Sequence, residues 1–159
     1  MSKWLAVFLV SFLAGCATMA DDRSKLVGTW KVVTLEIEFQ DTGERRPTYG
    51  NAPKGYIILT PEGRAMSYVE AETRKQPRTD EERAAAFRSI IAYTGKYRVE
   101  GDRFITKVDA SWNVVWVGTE QERTFKFDGD RLHVVTQWST APLYGNRMTR
   151  GILVLERER

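Results

Sequence analysis

Short segments in which hydrophobic and polar residues alternate make up most of the chain after residue 25. A period of two is typical of β-strands that bury one face against a core. Turn-forming residues stand between these segments, as in Pro-Glu-Gly at 61–63, Gly-Asp at 101–102 and Asp-Gly-Asp at 128–130. The predicted strands span residues 26–39, 55–60, 64–71, 95–100, 103–109, 120–127, 131–137 and 150–157. We therefore predict an all-β fold, an up-and-down antiparallel barrel of about eight strands.

One segment departs from this period and predicts a helix. Thr79 and Glu82 have the spacing of a capping box, and Ala84, Phe87 and Ile91 recur at helical spacing. We expect a single short helix that covers an open end of the barrel, because neither element can leave its apolar face in water. The helix could be a plug or a lid, and the plug is favoured because most apolar stripes are part of a core.

The beginning of the chain has the pattern of an export signal. Lys3 supplies a positive charge, residues 4–13 are apolar apart from Ser11, and two small residues precede Cys16. The apolar run is too short to span a bilayer, which takes about 20 residues. Residues 13–16, Leu-Ala-Gly-Cys, resemble the lipobox of bacterial lipoproteins, in which cleavage occurs just before the cysteine. The alternative is an ordinary signal peptide in which Cys16 is accidental.

The lipobox resemblance implies that residues 1–15 are a signal peptide and that Cys16 is lipidated. The anchor would be a diacylglycerol with a further acyl chain such as palmitate, and two or more chains hold a protein firmly on a membrane. The residue after the cysteine is Ala17 and not Asp, and in this the chain resembles lipoproteins that are sorted to the outer membrane. The expected location is therefore the periplasmic face of an outer membrane, with residues 16–25 as lipidated cysteine and tether and residues 26–159 as the barrel domain.

Composition narrows the possible partners. The 159 residues suit one domain, and 24 Lys and Arg against 21 Asp and Glu give a formal net charge of +3. The basic residues are scattered among acidic ones, so nucleic acid is not an expected partner. A single Cys and a single His exclude an intramolecular disulfide and a Cys/His zinc site. None of the common nucleotide-binding, serine hydrolase or zinc protease motifs is present, and we expect neither a metal nor another cofactor.

An ordered series of short motifs resembles the bacterial lipocalin-like domain family. The motifs lie at residues 26–30, 55–64, 93–97, 112–113, 116–121, 123–125 and 128–132. Gly28 and Trp30 are also similar to the motif that begins the wider lipocalin barrel, in which an Arg of the last strand packs over the Trp. Arg157, or failing that Arg150, is placed to do so here. The resemblance implies a lipocalin barrel that binds small hydrophobic molecules, without a specified ligand.

Alternation places Gln121 and Arg123 on the inward face of their strand. A buried guanidinium must be paired or bind an anion, because removing it from water is costly. In one interpretation Arg123, with Gln121, binds the polar head of an amphiphile. The tail would then lie against Trp30, Tyr56, Tyr68, Tyr97 and Phe125. In the other interpretation, which is favoured because structural ion pairs are common, Arg123 pairs with Glu36 or Glu70.

The sequence does not decide which residues of the first strand point inward. If Trp30 points inward, simple alternation carries Thr34 and Glu36 inward as well, although Leu35 and Ile37 are the more apolar pair. Either the interior is partly polar or a bulge reverses the two faces. A bulge, or a splayed rim that leaves Glu36 in water, is favoured because carboxylates are almost never buried unpaired.

These features together predict an anchored carrier of a small hydrophobic or amphiphilic ligand, with Trp112 and Trp138 as candidate residues of the entrance. A second hypothesis is a small-molecule cyclase or isomerase whose acid and base groups would come from Glu36, Glu70, Asp109 and Tyr97. A third is an envelope lipoprotein with a structural or assembly role and no ligand. The carrier is favoured because it explains the lipid anchor, the closed barrel and the aromatic lining together.

Overall fold

The computed structural model describes residues 24–141 and 144–158. Its strands are β1 Gly28–Phe39, β2 Arg45–Pro47, β3 Lys54–Leu59, β4 Arg64–Glu70, β5 Ile90–Glu100, β6 Arg103–Ser111, β7 Glu120–Asp128, β8 Arg131–Thr136, β9 Ser139–Ala141 and β10 Arg147–Arg157. An α-helix, α1, spans Asp80–Arg88, and a 3-10 turn spans Val114–Trp116. The predicted signal peptide and Cys16 lie outside the described residues.

Eight of the strands form a closed antiparallel barrel. Neighbours follow the order β1, β3, β4, β5, β6, β7, β8 and β10, and β10 pairs back onto β1 from Trp30↔Arg157 to Phe39↔Thr149. The short strand β2 pairs only with β1, and the short strand β9 pairs only with β10. The predicted all-β barrel with one short helix is confirmed. Strand β5 begins earlier than predicted, at Ile90, because its first residues pair with the end of β4.

The antiparallel order separates the connections into two ends of the barrel. The tight turns β3–β4, β5–β6 and β7–β8 lie at one end, together with residues 24–27 that precede β1. The longer connections, which carry β2, α1, the 3-10 turn and β9, lie at the other end. We call these the closed end and the open end.

A bulge in β1 decides which of its side chains face inward. The pairing of β1 with β10 shifts between Val32 and Thr34, so Val33 is the extra residue. Trp30 and Val32 are buried before the shift and Leu35 is buried after it. The bulge alternative is therefore confirmed, and the inward face changes from even to odd residue numbers along this strand.

The closed end is sealed by Trp30, whose indole is only 2% exposed. Its Nε1 donates a hydrogen bond to the carbonyl oxygen of Leu26 at 2.8 Å. The guanidinium carbon of Arg157 lies 4.2 Å from the centroid of the Trp30 ring. Arg157 also donates to the carbonyl oxygens of Val27, at 2.9 Å, and of Lys25. The expected packing of a last-strand Arg over Trp30 is confirmed, with Arg157 in that role.

Gly28 leaves the space that Arg157 occupies. A Cβ atom on Gly28 would lie 2.4 Å from Nη1 of Arg157, and its φ of +145° is one that L-residues rarely adopt. Gly28 and Trp30 thus act together. Trp30 supplies the ring, and Gly28 leaves room for the Arg157 guanidinium that covers it.

Helix α1 has the predicted capping box, in which Thr79 accepts from the Glu82 backbone and the Glu82 side chain accepts from the Thr79 backbone. The favoured plug is wrong, however, because none of the helix residues is buried. Phe87 is 54% exposed, and Ile91 belongs to β5 rather than to the helix. The helix borders the open end instead of filling it.

Replacing Gly28 with alanine should lower the free energy of unfolding by about 2–4 kcal/mol, because the new methyl group displaces Arg157 and strains the backbone. Urea denaturation measures this loss. Gly43→Ala is the matched control, since Gly43 also has a positive φ but nothing lies within 4 Å of the place that its Cβ would take. We expect the control to lose about 1 kcal/mol. Equal losses in both variants would contradict the proposed role of the Gly28 and Arg157 contact.

Candidate functional site

A cavity of about 420 Å³ occupies the part of the barrel that faces the open end. Small-molecule sites usually have volumes of about 300–1,000 Å³, so the cavity is of the usual size. Its aromatic lining consists of Tyr49, Phe87, Tyr93, Trp112, Trp116 and Tyr144. Its aliphatic lining consists of Leu35, Ile37, Ile57, Val69, Ile91, Val134 and Leu153. The lining is thus mainly apolar, which suits a small organic ligand.

Four aromatic rings in the lining form a continuous series of contacts. The ring centroids of Phe87 and Trp112 are 6.4 Å apart, and those of Trp112 and Trp116 are 4.9 Å apart. Trp116 meets Tyr93 edge to face at 5.5 Å. The series begins on α1 at the open end and ends on β5 inside the barrel. We call these four residues the aromatic track.

The guanidinium of Arg123 continues the aromatic track. Its carbon lies 5.9 Å from the ring centroid of Tyr93. Nη1 donates to the Glu122 carbonyl oxygen at 2.8 Å, and Nη2 donates to Oε1 of Gln121 at 3.2 Å. Both acceptors are neutral, so the two hydrogen bonds orient the guanidinium and leave its charge uncompensated.

The predicted ion pair of Arg123 is wrong. Among the described residues no carboxylate oxygen lies within 4.0 Å of it. Glu70 instead accepts from the Tyr68 hydroxyl and from Arg74, and these two hydrogen bonds lower the pKa of the Glu70 carboxyl. The structure therefore brings a guanidinium without a carboxylate partner to the cavity wall.

Arg150 also lines the cavity, but its charge is compensated. It pairs with the Glu38 carboxylate, which is mostly buried, and its hydrogen bond lowers the pKa of Glu38. The Arg150 guanidinium also lies over the ring of Trp138, 4.5 Å from its centroid. Arg88 contributes a third cation at the mouth, and Glu36 is the acidic residue in the lining. Arg123 is thus distinguished from Arg150 by its lack of a carboxylate partner.

The predicted ligand contacts fall into three groups. Trp30, Tyr97 and Phe125 are buried in the core below the cavity and do not line it. Gln121 does not line it either, but it holds Arg123. The prediction that Tyr56 and Tyr68 face the interior is wrong, since they are 38% and 40% exposed.

The error for Tyr56 and Tyr68 has a simple cause. They face each other across β3 and β4 on the outer surface, while Ile57, Ser67 and Val69 take the inward positions. Alternation correctly places Tyr56 and Ile57 on opposite faces, but it does not say which face points inward. In these strands the aliphatic residues, and not the tyrosines, mark the inward face.

Of the two residues predicted for the entrance, Trp112 lines the cavity and Trp138 does not. Several other residues of the lining were not predicted from the sequence. Tyr93 has the same parity as the inward Tyr97 and could have been found from alternation. Tyr49 and Tyr144 lie in connections, where no period indicates a direction, and only the folded chain brings them to the cavity.

The acid and base groups considered for an enzyme do not come together. Glu36 alone of the four lines the cavity. The hydroxyl of Tyr97 donates to the Thr60 carbonyl oxygen at 3.0 Å, and Asp109 pairs with Arg64 on the surface. Within residues 24–141 and 144–158, no cluster of three His, Cys, Asp or Glu side chains could hold a metal ion. No helix in these ranges is long and apolar enough to cross a membrane.

A model of the lipocalin-like domain matches residues 27–158. The chain belongs to the lipocalin-like domain family. A 4'-hydroxy-3'-methoxypropiophenone carrier protein of Aspergillus oryzae is 38% identical to it over 66 residues, which cover 36% of this chain and 60% of that protein. The lipocalin-like domain thus accounts for nearly all of the described barrel, and the similarity to the fungal carrier is confined to part of each chain.

Tyr49 offers a measurable property of the cavity wall. Burial, with a smaller contribution from Tyr144, raises the pKa of Tyr49 from 10.0 to about 12. The folded protein keeps this proton longer than the unfolded chain does, so the stability linked to it is present below about pH 10 and is lost as the pH rises toward 12. Absorbance titration at 295 nm should show that Tyr49→Phe removes one phenol from the step near pH 12. The exposed control Tyr56→Phe should leave that step in place, and an unchanged step in Tyr49→Phe would contradict the assignment.

Proposed function

We propose that the barrel binds a small amphiphilic molecule and carries it. The observation that carries this proposal is the aromatic-lined cavity of about 420 Å³ with Arg123 in its wall, since Arg123 has no carboxylate partner among the residues that the structure describes. An apolar cavity with a few convergent polar groups is the usual form of a small-molecule site. The lipocalin-like barrel supports ligand binding, and the fungal relative is named as a carrier.

The two parts of an amphiphile would meet different walls. The apolar lining removes the body of the ligand from water, which contributes about 25 cal/mol for each Å² of apolar surface buried. Arg123 receives the polar head. A guanidinium has five N–H donors, and the hydrogen bonds to Glu122 and Gln121 leave donors for a ligand acceptor. Because those bonds already orient the side chain, little conformational entropy is lost when the head group binds.

The geometry assigns access to the open end. Trp30 and Arg157 seal the closed end, while Phe87 and Arg88 of α1 border the cavity at the other. Since no residue of α1 is buried, the helix can move without opening the hydrophobic core. A ligand would therefore enter and leave beside this helix.

The proposal extends to the membrane anchor. Lipidation at Cys16 and a place on the periplasmic face of an outer membrane are supported by the Leu-Ala-Gly-Cys sequence at 13–16 and the residues that precede it. Residues 24–27 lead into β1 at the closed end, so a tether from Cys16 would join the barrel opposite the cavity mouth. An anchored barrel would then present its mouth away from the anchoring bilayer.

The anchor is tested by fractionating cells that express the full chain. We expect the protein in the membrane fraction, with an intact mass that matches removal of residues 1–15 and addition of the lipid. Cys16→Ser should instead release the protein into the soluble fraction, because the acyl chains are lost. Equal membrane recovery of the two forms, without a lipid mass on Cys16, would contradict lipidation.

Ligand binding is tested with decanoate and methyl decanoate, which differ mainly in the charge of the head group. Arg123→Ala should weaken binding of decanoate about 10- to 100-fold, since a hydrogen bond to a charged group is worth about 1.5–3 kcal/mol. The ester should lose much less. Isothermal titration calorimetry measures both.

Arg98→Ala is the matched control, because Arg98 lies on the outer surface with Glu100 and Glu120. It should leave both affinities unchanged. Equal losses for acid and ester in Arg123→Ala would rule out the head-group role, and no binding of either compound to the unmodified protein would count against the carrier function itself.

A further inference from the structure

We propose that the cavity selects ligands with a planar aromatic ring and a nearby hydrogen-bond acceptor, such as an aryl carboxylate with a short spacer. The ring would lie on Trp112 and Trp116, and the acceptor would reach Arg123. This inference rests on the proposed carrier function and specifies the chemical class of its ligand.

The aromatic track has the geometry that favours a ring over an alkyl chain. Trp112 and Trp116 are nearly perpendicular, with 81° between their planes, and Trp116 and Tyr93 meet at 71°. Perpendicular rings present both an electron-rich face and an electron-poor edge to the same space. A planar aromatic ligand can satisfy both at once, by offset stacking on one ring and edge contact with the other. An alkyl chain gains only the burial of its surface.

Arg123 sets the charge preference at the inner end of the aromatic track. The order of contacts runs from Phe87 through Trp112, Trp116 and Tyr93 to the guanidinium. A ring on the tryptophans therefore lies one aromatic residue away from the cation. A spacer between ring and acceptor has to cross this interval, and the cavity volume of about 420 Å³ lies in the usual range for small-molecule sites, about 300–1,000 Å³.

The test compares 3-phenylpropionate with 3-cyclohexylpropionate, which have the same charge, spacer and number of non-hydrogen atoms. Titration calorimetry on the full chain should show about 3- to 10-fold tighter binding of the phenyl compound, since aromatic pairs add to the effect of burial. Equal affinities, or a preference for the cyclohexyl compound, would overturn the aromatic class and leave the carrier function standing. If neither these acids nor decanoate binds, the result contradicts the carrier function as well as the aromatic class.

Variants at Trp112 test the role of its ring. Trp112→Leu should abolish the preference for the phenyl compound, because the ring is gone. Trp112→Phe should keep the preference, because it retains an aromatic ring. Trp138→Phe is the matched control, since Trp138 packs under Arg150 and does not line the cavity. A preference that persists in Trp112→Leu would overturn the role of this residue, and the comparison in the unmodified protein decides the class even where a variant fails to fold.

Discussion

The pairing of β1 with β10 closes the barrel, and the rest of the architecture depends on it. An open sheet exposes two edges of unpaired backbone groups, whereas closure pairs them. Arg157 covers the indole of Trp30 where the first and last strands meet, and it also binds the backbone that precedes β1. Gly28 makes this contact possible, since any larger residue would occupy the place of the guanidinium. Sealing one end in this way leaves the other end for the cavity.

The cavity places two arginines in different electrostatic states. Glu38 compensates Arg150, so that pair contributes to the wall without attracting an anion. Arg123 is held by the neutral oxygens of Gln121 and Glu122 and keeps its charge available. Since an isolated charge is costly in an apolar site, a ligand that brings an acceptor gains more at Arg123 than at Arg150.

Helix α1 borders this site. Contacts at its two ends hold it in place, and none of its residues is buried. Thr79 and Glu82 cap its beginning. Arg74 binds Glu70 of β4 and also donates to the Ser89 hydroxyl and the Ala86 carbonyl oxygen near the end of the helix. Phe87 alone joins it to the aromatic track. An element with fixed ends and few buried contacts is suited to local opening at little cost to the core.

The sequence by itself determined the barrel, most of its strands and the capped helix, because period, turns and caps depend on neighbouring residues. The packing of a late arginine over Trp30 was implied by the resemblance to the lipocalin motif. It also placed Arg123 on an inward face. The lining contributed by β1 and by the connections was decided only by the tertiary structure. The bulge at Val33 reverses the faces of β1, and the folded connections bring Tyr49 and Tyr144 to the cavity. Such choices depend on register between strands and on loops such as that of Tyr49, and these are interactions between distant residues that no local pattern encodes.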